Sequence, residues 1–166
     1  MHQEQPTMCN SARLDSNGQP RSGFDTRLRP DTARTAAKGG APLSTERTAN
    51  CVVVNQWGSA ISGVTLRHRY NNDPSYQQQG NWPSLAQNAT SSSFPATYWT
   101  GAIGHDYWWV QFQDDNGKIW TCKQNFYCTL DASDDGTTVY FFLNGSSEDM
   151  KIQMTSNGCD VSLYES

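Results

Sequence analysis

The chain has 166 residues, of which only 17% are charged, and a formal net charge of −4. That length fits one domain with an extension, and the scarcity of cations argues against a nucleic-acid binder, which carries a basic face. The charge is uneven, +2 over residues 1–50 and −6 over residues 51–166, so the second part would repel phosphate and anionic lipid.

Residues 1–49 have few large apolar side chains. Leu14, Phe24, Leu28 and Leu43 stand isolated among Arg, Asp, Ser, Thr, Gly and Pro. Such a stretch cannot bury enough apolar surface to offset its ordering entropy. A disordered polar tail is expected over 1–49 and a folded domain over 50–166. Met1 to Pro20 contains no apolar core of a secretory signal, and no run of 18 apolar residues offers a transmembrane helix. The expected location is cytoplasmic, or secreted without a recognisable signal peptide.

From Cys51 the texture is that of β-strands. Residues 51–55 are β-branched and bounded by turn residues. Residues 64–70 alternate, with Val64, Leu66, His68 and Tyr70 on one side. A long polar loop is expected through 71–74 and 77–80. Residues 92–98 read as an edge strand, because Pro95 cannot donate to a ladder. Residues 106–113 and 118–123 form two runs joined at Asn116-Gly117, a hairpin signal that predicts a type I′ turn with positive φ at both central positions. Alternation there sets Trp108, Val110 and Phe112 toward the core, and Tyr107, Trp109, Gln111 and Gln113 on the other face. Short strands follow at 128–130, 137–143, 150–155 and 161–164. The expected fold is all-β, an antiparallel β-sandwich of seven to nine strands.

Four cysteines lie in the domain, Cys51, Cys122, Cys128 and Cys159. Four allow three pairings, and spacing does not choose among them. A Cys122–Cys128 bridge would close the end of the hairpin, and Cys51–Cys159 would clasp the first and last strands. The cysteines do not have metal-site spacing. The acidic turns at 114–117 and 131–136 offer oxygen ligands but not the twelve-residue calcium loop, and their residues favour turns for backbone reasons. Asn88 and Asn144 head glycosylation tripeptides, which matter only on a secretory route.

His68 and His105 are the only histidines of the domain. A catalytic pair of His105 with Asp106 is disfavoured, because adjacent strand residues point to opposite faces. No nucleophile elbow, metal-binding His motif or phosphate loop is present. No enzyme activity, cofactor or metal is expected. The aromatic set is richer. Trp82, Trp99 and Trp109 lie in or beside polar, Gly- and Asn-rich segments. With Tyr107 and Gln111 they make the candidate ligand-binding residues, because indole stacks on the C–H face of a sugar while amides bind hydroxyls.

The order of residues 64–70, Asn81-Trp82-Pro83-Ser84-Leu85-Ala86, Thr100-Gly101 and the segment Gly104 to Phe112, followed by Asn125-Phe126, Cys128-Thr129-Leu130, Asp134-Asp135-Gly136 and Ser156-Asn157-Gly158-Cys159, resembles a small β-sandwich family. It is named for genes up-regulated in long-lived insulin-receptor mutants of a nematode, and related sequences occur in fungi and bacteria. The resemblance covers roughly residues 51–162, and Asp106-Tyr107-Trp108-Trp109-Val110 is its most specific part. It implies a stress- or defence-associated protein and carries no catalytic residues. In layout the chain also distantly resembles aegerolysins, lipid-recognising β-sandwiches. The functional expectation is non-enzymatic recognition of a glycan or lipid head group through the aromatic and amide surface. The alternatives are a membrane-active, pore-forming protein, and a structural module that assembles through an edge strand.

Overall fold

A computed structural model describes residues 43–166. The expected tail lies outside the described residues as far as position 42. Its last five positions belong to the domain, because strand β1 spans Thr45–Gln56. Ala49 is their only apolar residue, so periodicity is silent there. It is nevertheless fully buried, while Arg47 Nη1 and the Thr48 N–H both donate to Asp135, at 3.1 Å each.

Over the described residues the fold is all-β, with ten strands in two five-stranded sheets. The first sheet has the order β4 (Phe94–Thr100), β1, β7 (Thr138–Asn144), β8 (Asp149–Gln153), β9 (Gly158–Ser162). The second has the order β10 (Tyr164–Glu165), β6 (Ile119–Thr121), β5 (Asp106–Gln113), β2 (Ile61–Tyr70), β3 (Gln77–Leu85). This is the expected sandwich, with ten strands where seven to nine were expected and with β1 and β7 running parallel. The edge position expected for the Pro95 segment is that of β4.

Strand alternation builds the core. In β5, Asp106, Trp108, Val110 and Phe112 are buried, and the intervening residues are not. In β2 the alternation slips by one at a bulge between Ser62 and Thr65. Gly63 supplies the φ of +56° there, so both Ile61 and Val64 face inward. Trp108 is fully buried, as its alternation predicts. It packs on Phe141 of the facing sheet at 4.7 Å between ring centroids, and its Nε1–H donates to the Cys128 carbonyl at 2.9 Å.

The segment 128–130, expected as a short strand, is not one, and two further local expectations need correction. The hairpin turn is not type I′, because Gly117 has φ +81° while Asn116 is absent from the positive-φ residues. The Gly117 N–H donates to the Asp114 carbonyl at 3.1 Å, and the Asp114 and Lys118 backbones close the ladder. This is the three-residue connection in which one left-handed glycine makes a bulge. Asp114 Oδ1 fixes it by accepting from the N–H groups of Asn116 and Lys118, both at 2.9 Å. The second correction is β3, which occupies the segment 77–80 expected as loop. Its sequence carries little apolar signal because Gln77, Gln79 and Asn81 are exposed and the inner positions Gln78 and Gly80 are polar or small.

Candidate ligand-binding face

The outer face of β3, β2 and β5 is set by register. The Cα partners form three rows: Gln77–Arg69–Tyr107, Gln79–Arg67–Trp109 and Asn81–Thr65–Gln111. With ordinary strand spacing and rise, this patch measures roughly 10 by 13 Å. Its inner counterparts, such as Leu66, His68, Trp108 and Val110, are buried.

Hydrogen bonds order the patch. Along β3 a ladder of side-chain amides runs from Gln77 Nε2 to Gln79 Oε1 at 3.0 Å and from Gln79 Nε2 to Asn81 Oδ1 at 3.3 Å. Thr65 Oγ1 donates to Asn81 Oδ1 at 3.0 Å, and Arg69 Nε donates to Gln77 Oε1 at 2.8 Å. The Arg67 guanidinium lies over the Trp109 ring, 5.0 Å from its centroid, and Nη2 donates to Gln124 Oε1 at 2.7 Å. The face thus presents a guanidinium backed by an indole, not a bare indole. Burial, and then the neighbouring Arg69, lower the pKa of Arg67. Among the described residues, Trp109 Nε1 is the one buried side-chain polar atom without a partner.

Of the five residues singled out from sequence, this face brings together Tyr107, Trp109 and Gln111. It does not include Trp82 or Trp99. Trp82 is on the inner side of β3, opposite Val64. Its indole lies where a Cβ on Gly80 would stand, beside Phe94, and its Nε1–H donates to Ser92 Oγ at 2.9 Å. Trp99 packs on Tyr70 and Tyr76, with centroids at 5.0 and 5.1 Å, in a shallow cleft of about 230 Å³ that Ile103 also lines. Sequence reasoning missed Arg67, Arg69, Gln77, Gln79, Asn81 and Gln124. The signal for the two arginines was present, since the alternation that buries Leu66 and His68 must turn Arg67 and Arg69 outward.

The histidines separate as alternation implies. His105 is exposed, with Nδ1 3.0 Å from Thr129 Oγ1. Asp106 turns inward to His68, and both are buried. The carboxylates of the acidic turns are engaged by the protein's own donors. Asp131 caps Ser133, and Asp134 accepts from the N–H and hydroxyl of Ser156. Among the described residues no three His, Cys, Asp or Glu side chains converge as a metal site.

The disulfide is Cys128–Cys159, with Cα atoms 6.1 Å apart, and Cys51 and Cys122 are free and buried. Neither bridge weighed from sequence, Cys122–Cys128 or Cys51–Cys159, is the observed one. Thr121 pairs with Gln111, which sets Cys122 opposite Val110, whereas the Cys128 N–H bonds to the Asp106 carbonyl. Four residues of β5 separate those positions, about 13 Å and too far for a bridge. Cys51 on β1 is separated from Cys159 on β9 by β7 and β8, roughly 14 Å at ordinary strand spacing.

Fold and face together define a small all-β sandwich domain whose second sheet carries an ordered aromatic, amide and guanidinium surface. The chain belongs to the family described as "Up-Regulated in long-lived daf-2", whose model matches residues 45–158, from the first residue of β1 to the first of β9. No curated protein matches the chain. Among the described residues no helix is long and apolar enough to cross a membrane.

Proposed function

We propose that the domain is a non-catalytic glycan-binding module and that its site is the outer face of β3, β2 and β5. The observation that carries this reading is the row Gln79–Arg67–Trp109 within its amide surround. A few oriented polar groups around an aromatic anchor suit a hydroxyl-rich ligand. The amides are already held in place by one another, so binding orders few side chains. The test is a glycan array probed with the full chain, with Trp109→Ala and Gln111→Ala measured beside it. Loss of binding in both variants, with unchanged circular dichroism, is the expected result. Trp99→Ala, which alters a different part of the surface, should leave binding intact. Undiminished binding by Trp109→Ala would sink the assignment.

A second reading, contact with a zwitterionic lipid surface, is favoured by one observation. Ile103 is fully exposed and Leu43 is 89% exposed. Leu43 runs beside Gly101, and Ile103 borders the Tyr70–Tyr76–Trp99 cleft. An apolar tip next to a tryptophan suits a membrane interface. Sedimentation with phosphatidylcholine vesicles tests it, and Ile103→Ser should abolish any binding seen.

A further inference from the structure

We infer that the ligand of the β3–β2–β5 face is an acidic sugar, one whose ring carries a carboxylate. This rests on the glycan reading above and narrows it.

The net charge of the domain points the other way, but the acids lie elsewhere. Most cluster in the turns at 114–115 and 131–135 and around β8 and β9; the nearest is Asp73, in the turn after β2, which feels the charge of Arg69 but makes no ion pair with it. Within β3, β2 and β5 the one acid is Asp106, and it faces inward against His68. Arg67 and Arg69 are two of only five cations in residues 51–166, and both project from this face. Among the described residues the close contacts of basic with acidic side chains are Arg47–Asp135, His68–Asp106 and Lys118–Glu165. Neither Arg67 nor Arg69 has a carboxylate partner there. Their acceptors are the neutral amides Gln124 and Gln77.

Arg67 and Arg69 stand two residues apart on the same face of β2 and repel each other, and an anion between them relieves that repulsion. Each uses one N–H on an amide, so further donors of the planar fork remain. A carboxylate takes two such donors at once, in the plane of the fork. The Arg67 guanidinium lies over the Trp109 ring, which restrains where it sits. Gln79 in the row of Arg67, and Asn81 and Gln111 in the next row, flank the pair at positions suited to hydroxyls. An acid with no hydroxyls would leave that amide ladder unused, and a neutral sugar would leave both arginines without an ion-pair partner.

The experiment uses the full chain and a matched pair of probes, oligogalacturonate and its methyl ester, which share the ring and differ in the charge. An array of carboxylated, sulfated and neutral glycans is run alongside. The free acid should bind roughly tenfold or more tighter than the ester, and the difference should shrink as salt rises. Arg67→Gln and Arg69→Gln should each reduce the preference severalfold, while Lys151→Gln on the other sheet should not. Equal affinity for acid and ester, with binding still lost in Trp109→Ala, overturns the acidic-sugar inference and leaves the glycan reading standing. Preference for sulfated over carboxylated glycans also overturns it. So does acid preference that survives both arginine changes. Binding to no glycan overturns the glycan reading and the inference with it.

Discussion

His68 Nε2 lies 2.8 Å from Asp106 Oδ1, and both side chains are at most 1% exposed. The contact joins β2 to β5 between the sheets and extends at both ends. Gln78 Oε1 accepts from the Thr97 N–H at 3.0 Å, which orients the amide so that His68 Nδ1 donates to that same oxygen at 2.9 Å. Asp106 Oδ2 accepts the Leu130 N–H at 2.8 Å. One polar chain therefore ties β4, β3, β2, β5 and the 128–130 segment together. Its role is structural, because no member of the pair reaches solvent. His68→Ala leaves a buried carboxylate without its partner and should cost about 3–5 kcal/mol. Asp106→Asn keeps an acceptor for Leu130 and should cost less. Urea unfolding of both variants checks this, and a His68→Ala loss below about 1 kcal/mol would contradict the assigned role.

The register of β1 makes a prediction about chain truncation. Thr45 to Ala49 pair with Thr100 to Ala96 on β4, and Arg47 Nε donates to Thr100 Oγ1 at 2.8 Å. A chain starting at Asn50 exposes the β4 ladder and removes the buried Ala49. Its melting temperature should fall more than about 5 °C below that of a chain starting at Leu43. Equal melting temperatures would mean that these residues contribute no net stability.

What was legible in the sequence follows from where apolar side chains are required. Strand β5 announced itself because its inner positions need Trp108, Val110 and Phe112. Strand β3 did not, because its inner positions are Gln78, Gly80 and Trp82. Gln78 serves the His68 hydrogen bond, and Gly80 makes room for the Trp82 indole. The disulfide depended on distances between strands remote in sequence, which spacing does not encode. The candidate face was half visible. Its aromatic half showed in the alternation of β5, while its basic half required knowing that β2 lies beside β5. Trp82 and Trp99 look like exposed aromatics by composition, yet pack at the sandwich edge and in the cleft.

The thiols should divide cleanly by accessibility. Burial pushes the Cys51 thiol pKa well up, with Asp106 adding to it. Burial also raises that of Cys122, against the opposing pull of Arg67 and Lys123. In a Cys9→Ser chain, neither should react with a thiol reagent at neutral pH until the protein unfolds. Cys128–Cys159 links segments 31 residues apart. A loop of that size is worth about 3–4 kcal/mol of chain entropy, so Cys159→Ser should lose about that much in chemical denaturation. Fast labelling of two thiols in the folded oxidised chain would contradict the buried placement.

The hairpin turn should make stability depend on acid. Burial favours the neutral form of Asp114, but hydrogen bonds from the Trp120 indole and from the Lys118 and Asn116 backbone outweigh it. They hold the carboxyl below its usual value. The Trp120 Nε1–H reaches Oδ2 at 3.0 Å, and Trp120 itself packs on Trp57 at 4.7 Å, so the carboxylate anchors both turn and core. A pKa depressed by folding gives stabilisation that is complete above the unfolded carboxylate value and lost as pH falls through the folded one. In Asp114→Asn the amide can still accept from the two backbone groups, but its N–H₂ faces the indole donor. The variant should be less stable at about pH 6, and its stability should fall less than that of the parent as pH drops below the unfolded carboxylate value of about 4. Parallel stability curves for the two proteins over that range would show that Asp114 does not contribute through its charge.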